Sequence, residues 1–282
     1  MPRAGDRGIP DTGWLWARLM SRGMNTTAFH TRAPSWAQRR QERNGPKGPV
    51  VMYQRWEHLL FLHWRWDPEA VQRTLPAGLT VDVADGAAWL GLVPLFMRSV
   101  RPRFVPAVPW ASDFLELNLR TYVFDAQGRP GLYFYSLDCD QPLAVEGARR
   151  LLHLRYEHAD LSADVGPDGT VAFASRRRRE GAERDSFRYQ VAEIGGGPAA
   201  EGSLEYFLVE RYRLFADGGG ERLSTIQVSH VPYRLHPVEL STWGVAALRQ
   251  SGFDPGARPP DHVCGADPVD VEVSLPVQVE RE

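Results

Sequence analysis

Hydrophobic and polar positions alternate strictly from Phe114 to Asp125, FLELNLRTYVFD. Leu115, Leu117 and Leu119 fall on one face of a strand. Glu116, Asn118, Arg120 and Tyr122 fall on the other, because successive strand side chains point to opposite sides. The turn DAQGRPG joins this strand to LYFYSLDCD as a hairpin. EHLLFLHWRW reads as a rich apolar strand, and TVDVADGAAWLGLVPLFMRSV as a hairpin turning at Asp85-Gly86. RYEHADLSADV, GTVAFASRRRR, DSFRYQVAEIG, SLEYFLVERYRLFADGGGERLSTIQVSHVPY and VDVEVSLPVQV continue the pattern, with GGGPAAEGS and DGGG as turns. Three segments read as helices. DPEAVQRTLPAGL has Asp67 as N-cap, Pro68 in its first turn and Pro76 with Gly78 to end it. Pro142 to Leu152 carries Leu143, Val145, Leu151 and Leu152 as apolar contacts, and HPVELSTWGVAALRQSGF is the third. The Pro-rich stretch RPRFVPAVPWASD, with anchors such as Phe104 and Trp110, predicts a packed lid. The sum is an α+β, mainly β fold: a curled, mostly antiparallel sheet or barrel flanked by helices. A barrel would give the polar face of FLELNLRTYVFD an interior to line.

The chain has 282 residues, 43% hydrophobic and 24% charged, with a net charge of −2. That balance gives no basic field for nucleic acid or an anionic membrane. No apolar run reaches the roughly 18 residues that span a bilayer. Cys139 and Cys264 are far apart, which disfavours a disulfide framework or a thiolate metal site and suits a reducing cytoplasm. Residues 1–48 hold nine basic residues against Asp6, Asp11 and Glu42, without sustained periodicity. They read as a disordered basic extension, or as a product of an upstream start with Met24 or Met52 as the true one, ahead of a single domain over 49–282. A targeting segment is the competing reading. Lys47 is the only lysine, so no side chain from Gly48 to Glu282 can form a Schiff base.

The Glu116, Asn118, Arg120 and Tyr122 face could be a pocket wall, with a carboxylate for proton transfer and a guanidinium to hold an anion. It could equally be a solvent-facing surface, or an internal Glu116–Arg120 pair that only satisfies the barrel interior. Strand parity does not separate these readings. In RYEH, Tyr156 and His158 share a face and are both proton-transfer types; the competing reading is a partly exposed strand start. His230 ends a strand before a proline, where ligands are often met. The eight histidines form neither HExxH nor an i,i+4 pair, so no metal is expected. SRRRR, Ser175 to Arg179, reads as a solvated edge strand. There is no GxSxG, GxxxxGK[ST] or GxGxxG word.

Several segments together resemble the YqjF-like family of uncharacterised bacterial proteins: QRWEHLLFLHWRWDPEAVQRTLPAGLTVD, FLELNLRTYVFDAQGRPGLYFYSLD, ARRLLHLRYEHADL, FLVERYRLF and QVSHVPYRLHP. The resemblance spans roughly Met52 to Val279. That family is in turn similar to the acetoacetate decarboxylases, which implies a curled antiparallel barrel or cone with peripheral helices and an interior small-molecule pocket. The decarboxylases form a Schiff base on one of two paired lysines; at the matching place this chain has Tyr156 and Glu157. Their active-site glutamate falls on Glu116. The family's usual Leu-Pro-Tyr-His-His word is matched by His158 but departed from at Arg155 and Glu157.

The resulting expectation is a cytoplasmic small-molecule protein, needing no cofactor, for an anionic or carbonyl-containing ligand. Glu116, Tyr156 and His158 would carry lyase- or isomerase-like proton transfer without a Schiff base. Arg120, Asn118, Tyr122 and His230 would hold the ligand. A non-catalytic sensing barrel and a structural homo-oligomerisation module are the alternatives.

Overall fold

A computed structural model describes residues 33–45, 48–192, 195–217 and 223–279. The expectations for residues 1–32, with Met24, for Lys47 and for the DGGG turn beyond Asp217 lie outside the described residues.

Seven strands close into a barrel. In order around it they are β1 (Val50–Glu57), β4 (Ala88–Pro102), β5 (Phe114–Asp125), β6 (Pro130–Cys139), β11 (Arg213–Asp217), β12 (Leu223–Ser229) and β16 (Val269–Ser274), which returns to β1. All neighbours are antiparallel except β6 and β11, which run parallel where Leu132 faces Leu214. Gly131 permits that seam: a Cβ there would lie 2.6 Å from the Phe215 ring and 2.8 Å from the Arg213 carbonyl. Register shifts bend the wall, one on β1 between Val50 and Met52 and one between Leu119 and Arg120 of β5. A third separates Tyr53 from Arg55, opposite Ser99 at φ 50°. Such irregularities increase local twist and let a short sheet close.

The apolar run EHLLFLHWRW is two elements rather than one. His58 adopts φ 50° and breaks the run, so β1 pairs with the far end of β4 while β2 (Leu59–Trp66) pairs with its start. β2 then leads away from the barrel through β15 (His262–Ala266), β13 (Arg234–His236) and β10 (Gly197–Pro198). The Asp85-Gly86 turn forms with both residues at positive φ, but the strands beside it do not pair with each other. β3 (Leu79–Val81) and β4 instead lie end to end along β5. β17 (Val277–Val279) finishes on β12.

A second sheet of β7 (Tyr156–Val165), β8 (Val171–Arg177), β9 (Arg184–Val191) and β14 (Val238–Thr242) covers one side of the barrel. All twelve residues of β5 are buried. Its Leu115, Leu117 and Leu119 pack with Phe173, Phe187 and Tyr189 of the second sheet and with Leu248 of a short helix. The leucine face therefore lies under a sheet, where helices were expected. The HPVELSTWG half of the third expected helix is β14, recruited as the edge of that sheet; the helix itself is only Ala246–Gln250.

The remaining helices are α1 (Trp36–Glu42), α2 (Pro68–Gln72), α3 (Pro109–Ser112), α4 (Pro142–Leu152) and α5 (Leu204–Val209), so Ala246–Gln250 is α6. Asp67 caps α2 as expected, accepting from the Ala70 N–H at 2.7 Å. In α4 Val145 is buried, while Leu143 and Leu151 are exposed. α1 lies inside the stretch expected to be disordered. A capping box of Ser35 and Gln38 starts it. Its Arg39 forms a buried bidentate pair with Asp82, and its Glu42 pairs with Arg213. SRRRR is not an edge: β8 is central in its sheet, and Arg177 makes a buried pair with Asp138 at 2.8 Å. The Pro-rich stretch carries α3, yet Phe104 is 91% and Trp110 73% exposed, so its aromatics do not pack as a lid.

Candidate functional site

The barrel encloses a cavity of about 80 Å³. One water needs roughly 10–15 Å³ of such space, so the chamber suits a compound of few non-hydrogen atoms. Apolar side chains form most of the wall, among them Trp56, Phe61, Leu95, Phe134 and Ile226. Into it β5 sends Glu116, Asn118 and Arg120, and the start of β7 sends Tyr156. β7 reaches this place because its first residues pair in parallel with the end of β6, Tyr156 facing Leu137.

The Tyr156 hydroxyl donates to Glu116 Oε2 at 2.7 Å, and Asn118 Nδ2 approaches Glu116 Oε1 at 3.4 Å. Burial pushes the Glu116 carboxyl from its ordinary 4.5 up to about 7. The two hydrogen bonds hold it down, and the Asp138 charge adds a further upward push. A carboxyl poised there can take or give a proton near neutral pH. Burial, with the Glu116 charge beside it, keeps the Tyr156 phenol well above 10, so Tyr156 serves as a proton-bearing donor.

Arg120 sits deeper. Its Nη2 lies 3.5 Å from the Leu208 carbonyl, its guanidinium stands 5.3 Å from the Phe61 ring centre, and its Nε is buried without a partner. Among the described residues no carboxylate pairs with it. The internal Glu116–Arg120 salt bridge, on which the purely structural reading depended, is not formed. Gly91 makes room for this arginine: a Cβ there would lie 3.2 Å from Arg120 Cγ, His63 Cδ2 and the Tyr122 hydroxyl.

The other expected residues lie elsewhere. Tyr122 is fully buried, and its hydroxyl donates to the Leu208 carbonyl at 2.9 Å, so it braces α5 rather than lining the chamber. His158 turns to Glu146 of α4, 3.4 Å away. His230 hydrogen-bonds the Val231 carbonyl at 2.7 Å and borders a separate outer groove with Arg55 and Arg101. Burial lowers its imidazole to about 4, which keeps it neutral. Of the two residues standing in place of the paired lysines, Tyr156 enters the chamber and Glu157 pairs with Arg149 outside it.

Four residues of this region carried no usable signal in the sequence. Arg211 lines the chamber, donating from Nε to the Phe207 carbonyl at 2.7 Å and from Nη1 to Asp82 at 3.0 Å. Burial lowers its guanidinium to about 10, against the pull of Asp82. Tyr233 also lines the chamber. Behind Arg120, His63 meets His262 Nδ1 to Nδ1 at 3.0 Å, both rings lowered in pKa by burial. No group of three His, Cys, Asp or Glu side chains among the described residues could hold a metal ion. Nor is any described helix long and apolar enough to cross a membrane.

A family model described as an uncharacterised conserved protein, DUF2071, matches residues 53–270. The uncharacterised protein YqjF of Bacillus subtilis is 37% identical over 195 residues, covering 69% of this chain and 78% of that protein. An acetoacetate decarboxylase-like enzyme from Sphingomonas wittichii superposes with a TM-score of 0.57 at 14% identity, covering 83% of this chain and 95% of the other. Acetoacetate decarboxylase from Legionella pneumophila gives 0.55 at 16% identity, with 89% and 93% covered. The enduracididine biosynthesis enzyme MppR, solved with pyruvate, gives 0.52 at 16%, with 84% and 92% covered. At these identities the structural likeness establishes the acetoacetate decarboxylase-like fold and nothing further.

Proposed function

The chain belongs to the DUF2071 family, and from that footing we propose that it binds a small carbonyl-containing anion in its chamber and moves a proton on it through Glu116. The observation that carries this reading is one arrangement: a buried carboxyl near 7, oriented by the Tyr156 phenol, lining the same cavity as the guanidinium of Arg120, which has no carboxylate partner among the described residues. Arg120 holds the ligand's anionic group through charge-assisted hydrogen bonds. Glu116, ionised, takes a proton from the carbon beside the carbonyl. The C–H electron pair moves into the new C=C bond, and the carbonyl oxygen takes the charge, which the guanidinium side of the chamber stabilises. Tyr156 keeps its own proton throughout and holds Oε2, leaving the proton transfer to Oε1, which has only the longer contact with Asn118. MppR was solved with pyruvate, a compound that has both the carboxylate and the carbonyl this reading needs. Cys139 and Cys264 are buried free thiols, which fits the proposed cytoplasmic setting.

No residue from Gly48 onward has an amine side chain on which Schiff-base chemistry could run. Borohydride with pyruvate or acetoacetate should leave no adduct on residues 48–282. The test of the proton step is deuterium exchange into pyruvate and acetoacetate followed by NMR. The wild type should accelerate it, and Glu116→Gln should lose about 100-fold or more while ligand-induced thermal stabilisation persists. Stabilisation without exchange in the wild type would turn the reading to a non-catalytic sensing barrel, which the missing amine also favours. Neither effect would overturn it.

A further inference from the structure

Two arginines, not one, line the chamber with a buried N–H group left without an acceptor. The last carbonyls of a helix have no partner within it. At the end of α5 the Phe207 carbonyl accepts Arg211 Nε and the Leu208 carbonyl is approached by Arg120 Nη2. Adjacent peptide units thus anchor the two side chains next to each other. Each keeps a buried N–H group without an acceptor, Nε of Arg120 and Nη2 of Arg211. Both residues line the cavity.

The charges do not balance. Asp82 is wholly buried and faces two arginines. Arg39 takes both of its oxygens, at 2.5 and 2.8 Å, and Arg211 takes one of them again at 3.0 Å. One carboxylate serves two cations, so one positive charge is in excess there. Arg120 adds a second, having no carboxylate partner among the described residues. The other buried acids are engaged elsewhere: Asp138 with Arg177, Asp125 with Arg129, Asp185 with the Ala246 and Ala247 N–H groups, and Glu210 with the Tyr212 hydroxyl and the Tyr233 N–H. Glu116 is held by Tyr156 and Asn118 and pairs with neither arginine. Buried charge without a counter-charge is costly, and so is a buried N–H without an acceptor.

We infer that the chamber is built for a small dianion, a short dicarboxylate whose two acid groups engage Arg120 and Arg211 separately. This rests on the reading of the chamber as the ligand site and goes beyond it by naming the substrate class. The Asn118 Oδ1 atom, also without a partner, adds an acceptor beside Glu116 for a ligand hydroxyl or enol.

Matched pairs with equal numbers of non-hydrogen atoms test this on the full-length protein: malonate against acetoacetate, and succinate against levulinate. Titration calorimetry at fixed ionic strength and pH should show the better dicarboxylate binding about tenfold tighter than its partner. Arg211→Met should abolish that preference, weakening the dicarboxylate about tenfold relative to its monocarboxylate partner. Asp82 keeps its bidentate Arg39 in this variant, and Arg211→Lys offers a charge-retaining version that should keep part of the preference. Equal or tighter binding of the monocarboxylates would overturn the dianion but leave the proposed proton chemistry standing. Binding of none of the four, nor of pyruvate, would overturn both.

Discussion

Glu116→Gln isolates the electrostatic cost of keeping one carboxyl in the barrel. The native carboxyl titrates at about 7 against an ordinary 4.5. Because the folded-state value is raised, the native protein holds a proton that the unfolded chain has lost between those two values. Stability therefore falls as pH rises from about 4.5 to about 7, and the loss is complete above 7. At ~1.4 kcal/mol per tenfold change the full loss is roughly 3 kcal/mol. Glutamine carries no such penalty. Its oxygen still accepts from the Tyr156 hydroxyl, and Asn118 can turn its unpartnered oxygen to the new amide. The hydrogen-bond change is thus about 1 kcal/mol or less and independent of pH. Urea unfolding of both proteins from pH 5 to pH 8, subtracted one from the other, removes the titration of every other group. The difference should shift in favour of the variant by about 2–3 kcal/mol across that range, levelling off above pH 7. A flat difference would show that Glu116 titrates as an ordinary surface acid, and the argument for a poised carboxyl would go with it.

Two further perturbations follow from the packing. Arg177→Met strands Asp138 between the barrel and the second sheet and should cost about 3–5 kcal/mol in urea unfolding; the double variant with Asp138→Asn should recover much of it, and a single-variant cost below ~1 kcal/mol would refute the pairing. Gly91→Ala pushes a methyl against Arg120, His63 and Tyr122, each 3.2 Å away; it should cost about 1–3 kcal/mol and weaken ligand-induced stabilisation, and an unchanged ligand response would show that Arg120 does not depend on that space.

Strand parity made the centre of the site legible. A strand with leucines on one face and Glu116, Asn118 and Arg120 on the other has to bury the leucines, and a closed sheet then leaves the polar side facing inward. Tyr122 shares that parity but sits farther along, where α5 crosses the barrel end, so the same rule over-reached by one residue. Tyr156 and His158 shared a face too, but only the first of them reaches the chamber. Arg211 and α1 were illegible for a different reason. Their partner is Asp82, 129 residues from Arg211 and 43 from Arg39, and nothing local in ERYR or AQRR signals a buried carboxylate waiting. VELST was misread because its strand character comes from pairing with β9, a tertiary demand that overrides local pattern. The arginine run was misread because composition alone does not show that Asp138 lies behind Arg177.

The way the barrel closes has a consequence for its birth. β1 seals against β16, Val50 opposite Ser274, and the barrel wall's parallel seam joins Leu132 to Leu214. The two outer strands of the early wall, β1 and β6, must therefore wait for partners that leave the ribosome much later. At roughly 5–20 residues per second, that wait lasts on the order of ten seconds or more. During it Glu116 and Arg120 face water on an open, leucine-backed sheet whose outer strands, β1 and β6, expose unpaired edges. The chamber, with its perturbed carboxyl, comes into existence only when β16 docks.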